Sequence, residues 1–374
     1  MKLIDITHFY NSKSGGVKKY LEEKVRYFKE KDIEHSLILP SENNDIITKD
    51  KVKYFFIKSP EIPFFKPYRI IINKKAIFDI IKQEKPQIVE VGSPYFIPVW
   101  INENKKLLGY KTVGFFHSNI EGSIETIFKK INKPFLKVAK SLIKKEYSDF
   151  DIVISPSKYI ENYLNSLGIL NTKTVYLGID TKIFQFREKD KSILDKYNLP
   201  KNKILVVYAG RLSSDKNVLE IASIYNILTY FRPNKYHLVI IGSGHLENKF
   251  LKKIEGNYTH IGYIQDKNQY TDILSVCDIF ITTSKIETFG LAIVEAQALG
   301  LPVVAYKTAS IPEVVYYKEL LAEDIDNFIK NIELASKYYI SPSKRKLLSE
   351  NIKKYFSWEK TFGNMEKIYQ DLII

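Results

Sequence analysis

The stretch Ile279-Phe280-Ile281-Thr282-Thr283-Ser284-Lys285-Ile286-Glu287-Thr288-Phe289-Gly290-Leu291-Ala292-Ile293-Val294-Glu295-Ala296 reads as an apolar strand, a polar loop and a helix in direct succession. Glu287 falls in the loop just past the strand, and Glu295 is expected two turns into the helix. A helix start offers backbone N–H groups and the positive end of a dipole to an anion. A carboxylate beside a phosphate repels it, so the two acids are suited instead to accept hydrogen bonds from sugar hydroxyls. Phosphate and polyol in one site describe a sugar nucleotide.

Outward from that stretch, short apolar runs alternate with amphipathic ones along the whole chain. Before it, strands are expected at Lys2–Thr7, His35–Leu39, Lys53–Ile57, Gln87–Val91, Thr112–Phe116, Asp151–Ser155 and Thr174–Leu177. Helical patterns lie between most of them, at Val17–Lys31, Ile70–Gln83, Ile124–Tyr147 and Lys158–Leu167. Near Gly178–Lys191 the pattern pauses in a turn and a polar, charged run, which reads as a hinge. The series restarts at Ile204–Ala209 and continues with Leu238–Ile241, His260–Ile264, Ile279–Thr283 and Pro302–Tyr306. Helices are expected from near Asp215, His245, Lys267, Gly290 and Ser310. Such alternation predicts an α/β chain of two Rossmann-like domains with parallel sheets. The first domain would cover 1–178 and the second 179–356. Ligands of such sheets sit beyond the carboxyl ends of the strands, which predicts a site in a central cleft between facing domains.

Composition limits what else the chain could be. Its 374 residues suffice for two domains, and 45% apolar with 27% charged residues is a globular balance. No apolar run approaches the ~18 residues of a membrane span. The start, Met1-Lys2-Leu3-Ile4-Asp5-Ile6, reads as a strand and lacks the marks of a signal peptide. One cysteine, Cys277, permits no internal disulfide and fits a reducing, cytoplasmic setting. The net charge is +14, yet only six of the 57 basic residues are Arg. Nucleic-acid readers favour the forked guanidinium, so this Lys bias reads as an AT-rich coding bias, and no nucleic-acid partner is expected. Zinc spacing, a Gly-x-Ser-x-Gly elbow and a Walker loop are all missing from the sequence.

Three further constellations sit at expected strand ends. Gly210-Arg211-Leu212-Ser213-Ser214-Asp215-Lys216-Asn217 follows the first strand of the second domain. Arg211 offers a forked donor and Lys216 a compact ammonium, a pairing suited to a diphosphate. Alone, this reads equally well as a surface loop with two ordinary charges; beside the downstream glutamates, the diphosphate reading is preferred. Ser14-Gly15-Gly16-Val17 follows the first strand, where paired glycines let backbone approach a ligand or simply make a tight turn. Phe115-Phe116-His117-Ser118-Asn119 puts a histidine at another strand end, as a sugar contact, an acid or base, or a structural imidazole.

Together these residues resemble a retaining glycosyltransferase of the GT-B fold, in the large family four of nucleotide-sugar-dependent enzymes. The resemblance runs from Gly15-Gly16-Val17 through Phe116-His117, Leu177-Gly178-Ile179-Asp180, Gly210-Arg211-Leu212 with Lys216, and the Glu-x7-Glu element. It ends at Phe356-Ser357-Trp358-Glu359, which in that family opens a last helix crossing back to the first domain, here 357–374. The resemblance implies that Arg211 and Lys216 bind the donor diphosphate and Glu295 the ribose hydroxyls. Glu287 would contact the donor sugar, helped by backbone amides of Thr288, Phe289, Gly290 and Leu291. Gly15 and Gly16 would approach the phosphates, His117 would touch the sugar near the reacting centre, and Gly262-Tyr263-Ile264 would hold the base. The departures are Thr283, where the family often has Pro, the loop Lys307-Thr308-Ala309-Ser310, where it often has glycines, and a shortened Tyr316–Ala322.

The expected reaction moves a hexose from a UDP- or GDP-sugar to a glycan or lipid-linked hydroxyl, with retention and without a metal or other cofactor. Other readings are a different GT-B enzyme, such as a sugar-nucleotide 2-epimerase or a glucan synthase, or a non-catalytic basic module for membrane or nucleic acid. Residues 127–147 carry seven lysines against Glu146 alone, with apolar residues near helical spacing and a break expected at Pro134. That pattern suits peripheral contact with an anionic membrane, or a solvated face over an ordinary buried stripe.

Overall fold

The computed structural model describes residues 1–10, 16–31, 33–62, 68–117 and 133–374, with the side chains of 133–136 excepted. Among these, residues up to Tyr176 together with Trp358–Ile374 form one compact unit, and Leu177–Ser357 form another. The first unit contains β1 (Lys2–Ile6), α1 (Gly16–Glu30), β2 (Glu34–Ser41), β3 (Asp45–Lys49), β4 (Val52–Lys58), α2 (Lys74–Glu84) and β5 (Ile88–Val91). It continues with α3 (Phe96–Leu108), β6 (Lys111–Phe115), α4 (Lys133–Tyr147), β7 (Ile152–Ser155), α5 (Lys158–Ser166) and β8 (Thr172–Thr174). The second contains α6 (Lys191–Lys196), β9 (Ile204–Ala209), α7 (Val218–Phe231), β10 (Tyr236–Ile241), α8 (Glu247–Lys253), β11 (Tyr258–Gly262), α9 (Lys267–Val276) and β12 (Ile279–Thr282). It closes with α10 (Leu291–Ala298), β13 (Val303–Tyr306), α11 (Ile311–Val314), β14 (Leu321–Ala322), α12 (Ile325–Tyr338) and α13 (Pro342–Tyr355), before α14 (Trp358–Ile373) returns to the first unit.

The first sheet has eight strands in the order β3-β4-β2-β1-β5-β6-β7-β8. All neighbours are parallel except β3 on β4, an antiparallel edge that periodicity did not announce because all five of its residues are exposed. The helix α3 was likewise unexpected. Its Pro98 lies in the first turn, where an N–H has no acceptor within the helix and proline is tolerated. The strand expected at Thr174–Leu177 is β8, which starts two residues earlier and ends at Thr174. Pro134 lies in the first turn of the described helix α4, and the residues before Lys133, where the expected break would show, lie outside the described residues. Residues 124–132 of that expected helix lie outside the described residues. On α4 the buried face is Ile143 and Tyr147, while Val138 and Leu142 are 57% and 53% exposed.

Helix α1 turns Tyr20, Lys24 and Phe28 onto the sheet at i, i+4, i+8 spacing, and all three are buried. Lys24 is fully buried because two acids wait beneath it. Asp5 on β1 and Glu90 on β5 are register partners, and the Lys24 Nζ lies 2.8 Å from a carboxylate oxygen of each. His35 on β2 lies 2.5 Å from the other Asp5 oxygen. Tyr20 donates to Glu90 Oε1 at 2.8 Å, and Tyr369 of α14 donates to Glu90 Oε2. Burial pushes Glu90 up, to about 7. Burial works the same way on Asp5, but Lys24 and His35 outweigh it and hold that carboxyl at about 2. Around this cluster α14 packs by Trp358, Phe362, Met365 and Tyr369, with Phe362 5.6 Å from the Tyr20 ring.

The second sheet has six strands, all parallel, in the order β11-β10-β9-β12-β13-β14. Residues of β9 alternate between two cores: Val207 and Ala209 join the one that includes α10, Val206 and Tyr208 the one that includes α7. Every residue of α10 from Ile293 to Ala298 is buried, as befits a helix that is apolar most of the way round. Helices start slightly later than their sequence signals: a 3₁₀ turn over Ser214–Lys216 precedes α7, and α8 and α11 open at Glu247 and Ile311. Among the described residues no helix is long and apolar enough to cross a membrane.

Replacing Lys24 with Met would leave two buried acids without their cation, at a cost of about 3–5 kcal/mol in the stability of the first unit. Both tryptophans, Trp100 and Trp358, lie in this unit, so their fluorescence in a urea titration reports it selectively. A loss below about 1 kcal/mol, the scale of a surface pair, would contradict this account.

Candidate active site

In the second unit β10 and β12 flank β9 on opposite sides. Chain leaving the carboxyl ends of β9 and β12 therefore departs in different directions from adjacent strands, which is where doubly wound sheets open a ligand crevice. The loop after β9 carries Arg211 and Lys216; the loop after β12 carries Glu287 and leads into α10 with Glu295. The structure joins the two loops directly. Lys216 Nζ lies 2.5 Å from Glu287 Oε1, with the side chains 25% and 16% exposed. Arg211 is directed elsewhere: its guanidinium is 67% exposed and donates to Asp215 Oδ2 at 3.1 Å. Exposed pairs of that kind contribute little to stability, so the fork can be surrendered to an incoming anion at small cost.

Backbone geometry at the second loop favours an anion. Gly290 precedes α10 with φ +93°, a conformation that glycine adopts freely, and the N–H groups that follow open the helix. Phe289 is buried against Phe356, ring centroids 5.8 Å apart, which anchors the loop from below. Ser310 Oγ donates to the Glu287 carbonyl at 2.9 Å, so the loop after β13 holds Glu287 in place. Its departure from the family's glycines thus has a local use. Glu295 is the fifth residue of α10, little more than one turn in rather than two, and is buried. The phenol of Tyr270 is pushed well up, first by burial and then by the charge of Glu295 nearby.

Two glycines of this site were not anticipated from sequence. A Cβ on Gly242 would lie 1.9 Å from the Gly210 carbonyl oxygen, and one on Gly244 would lie 2.2 Å from that of Leu212. Leu212 N–H donates to the Ser243 carbonyl at 2.9 Å, so the loop after β10 lies flat against the loop carrying Arg211. The available signal was a Gly-x-Gly at a strand end. Gly242 N–H also donates to the Gly262 carbonyl at 2.7 Å, which ties the end of β11 into the same row of strand ends. Gly262 has φ +78°, and the ring of Tyr263 after it is 70% exposed. Ile264 packs, partly buried, against the core beneath.

The remaining expected residues lie in the first unit. Gly16 opens α1, while Gly15, Ser118 and Asn119 lie outside the described residues. His117 Nδ1 lies 3.3 Å from the Phe115 carbonyl and must carry the proton there. Burial pushes its imidazole down to about 4, against that bond, which works the other way. The ring is therefore neutral near pH 7, and Nε2 presents a lone pair with no hydrogen-bond partner among the described residues. That leaves Nε2 able to accept a hydrogen bond from a hydroxyl.

Residues 14–183 match the profile of Glycosyltransferase Family 4, and residues 189–355 match that of Glycosyl transferases group 1. The chain belongs to glycosyltransferase family 4. A GDP-mannose-dependent alpha-(1-6)-phosphatidylinositol dimannoside mannosyltransferase of Mycobacterium tuberculosis is 24% identical over 84% of this chain and 82% of its own. An uncharacterized glycosyltransferase of Methanocaldococcus jannaschii is 25% identical over 100% of this chain and 99% of its own. Among solved structures, sucrose-phosphate synthase from Thermosynechococcus elongatus superposes with a TM-score of 0.79 at 16% identity, covering 100% of this chain and 99% of that one. Anabaena HepE in complex with UDP and glucose gives 0.71 at 16% identity, covering 99% and 100%. The two parallel-sheet units, with α14 returned to the first, are those of the GT-B fold.

If Arg211 turns from Asp215 to the leaving group of a donor, Arg211→Ala is expected to lower turnover about 10²–10³-fold, the usual effect of losing one donor at a developing charge. Sugar transfer within a few-fold of wild type would remove Arg211 from the site.

Proposed function

We propose that this glycosyltransferase moves a hexose from a nucleoside-diphosphate sugar to a hydroxyl acceptor with retention of anomeric configuration. The observation that carries the reading is the meeting of Lys216 and Glu287 at the reversal of the second sheet, in the loop pair that also holds Arg211 and leads into α10. On this reading the diphosphate takes Lys216 from Glu287 and Arg211 from Asp215. Glu287, released, accepts hydrogen bonds from the sugar hydroxyls, and Glu295 does the same for the ribose. The base lies along Gly262, Tyr263 and Ile264. Gly15, Gly16 and His117 keep the roles toward phosphate and sugar that the family resemblance gives them.

The chemistry follows from that charge arrangement. The bond between the donor C1 and the diphosphate oxygen loosens first, and its electron pair stays on the departing diphosphate. Arg211, Lys216 and the N–H groups opening α10 stabilise that charge as it grows. The acceptor oxygen bonds to C1 on the same face, and its proton passes to an oxygen of the leaving phosphate. With two cations and a helix start at the diphosphate, catalysis needs no divalent metal, and activity should be unchanged in EDTA; strict dependence on Mn²⁺ would overturn this part.

The donor is a UDP- or GDP-hexose. The names of two relatives specify GDP-mannose, and a structural neighbour holds UDP-glucose, so both bases belong in the test. A thermal-shift series with UDP, GDP and their hexoses should single out one base, since ligand at a hundredfold its Kd adds about 2.7 kcal/mol. No shift with any of them would sink the donor assignment.

The acceptor is a glycan or a lipid-linked hydroxyl at the cytoplasmic face of a membrane. What favours membrane contact is α4, where Val138 and Leu142 are exposed among Lys137, Lys140, Lys144 and Lys145; residues 127–132 of that segment lie outside the described residues. Each basic residue near an anionic surface contributes roughly 1 kcal/mol. The protein should co-sediment with phosphatidylserine-containing vesicles, and a variant with these four lysines changed to Glu should not. Equal sedimentation of the two proteins would exclude α4 as the contact.

A further inference from the structure

We propose that Thr283 is a positioning residue for Lys216, acting through Asn217; this rests on the diphosphate role given to Lys216 above. Thr283 follows the last residue of β12 and is fully buried. Its side chain faces the loop of the neighbouring strand end, and Thr283 Oγ1 lies 2.9 Å from the Asn217 carbonyl oxygen and 3.3 Å from that of Lys216. The hydroxyl thus serves the two successive carbonyls that bracket the end of the 3₁₀ turn. They converge on it because Asn217 between them is left-handed, φ +52°. Asn217 returns the contact: its Nδ2 lies 3.4 Å from the Thr283 carbonyl and also donates to Glu220 in the first turn of α7.

This exchange matters because of what each loop carries. Lys216 is a long, flexible side chain, so its placement is only as good as that of its backbone. The exchange with Thr283 fixes that backbone to the strand end from which the Glu287 loop departs. Four residues beyond Thr283, Glu287 then receives the ammonium at 2.5 Å. When a diphosphate replaces Glu287 as partner, the ion pair no longer holds Lys216, but the Thr283 contact still does. A valine at 283 would have nearly the same shape and no donor, and the two carbonyls would have to turn elsewhere.

Calorimetric titration of the full chain with UDP and with GDP, each alone, tests this. Thr283→Val should weaken the diphosphate that wild type binds about tenfold, which corresponds to about 1.4 kcal/mol. Thr283→Ser, which restores the hydroxyl, should bind within about twofold of wild type. In a Lys216→Ala background Thr283→Val should add less than about twofold, because the residue it positions is gone. A purely structural role would weaken binding equally in both backgrounds, and that result overturns the proposal. So does wild-type binding by Thr283→Val, or failure of Thr283→Ser to restore it. Should the valine variant not fold, Thr283→Ala deletes the same hydroxyl and is read the same way. Lys216→Ala with wild-type affinity would refute the diphosphate reading and this inference together. Loss of affinity in Lys216→Ala without loss in Thr283→Val refutes this inference alone.

Discussion

The parallel pairing of β9 with β10 on one side and β12 on the other is the constraint on which the site depends. It sends three consecutive strand ends to one edge of the second sheet and brings together loops far apart in sequence. Arg211 and Glu287 share that edge because Val206 and Val207 of β9 pair with Ile279 and Phe280 of β12, and for no local reason. Strands buried on both faces cannot slip without turning core residues to the wrong side. The register that buries Val207 and Val206 in opposite cores thereby also sets the spacing of the charged loops.

Charge at that edge is arranged so that Arg211 and Lys216 each already have an internal carboxylate. A lone ammonium held near a helix start would be repelled by the positive end of the dipole and would destabilise the loops that carry it. Glu287 and Asp215 relieve that repulsion without locking the cations away, since neither ion pair is fully buried. On the proposed reading, an incoming diphosphate would exchange one anionic partner for another and would not have to desolvate a bare cation. The wider excess of lysine has no part in this balance. It lies mostly on exposed faces, where it sets an attractive field for anions at long range.

Much of this was legible in the sequence, and the reasons for the rest are physical. Glu287, Gly290 and Glu295 stood out because an acid inside an apolar helix needs a partner and a strand-to-helix loop is short enough to read. Strands that alternate or run apolar were read at nearly their true positions. The edge strand β3 was not, because exposure on both faces leaves no pattern, and α3 was hidden behind a proline that its first turn tolerates. Gly242 and Gly244 were missed since their requirement comes from backbone of another loop, which no local pattern encodes. Thr283 stood out in the sequence only as a residue where the family often has proline. Its importance lies in a hydrogen bond to a residue more than sixty positions away, visible only once the strands are paired.

The first unit shows what buried charge can do where no ligand is in view. Asp5, Lys24, His35 and Glu90 could in principle be replaced by apolar residues of similar volume with no loss of stability, so stability alone does not account for them. The position of Tyr369 suggests their use. Apolar contacts made by Trp358, Phe362 and Met365 of α14 carry little direction, whereas the Tyr369 hydroxyl meets Glu90 at one depth of the sheet, and without it that buried carboxylate would be left short of a donor. Tyr20 and Lys24 of α1 meet the same carboxylate, so one buried acid sets the axial position of both helices at once.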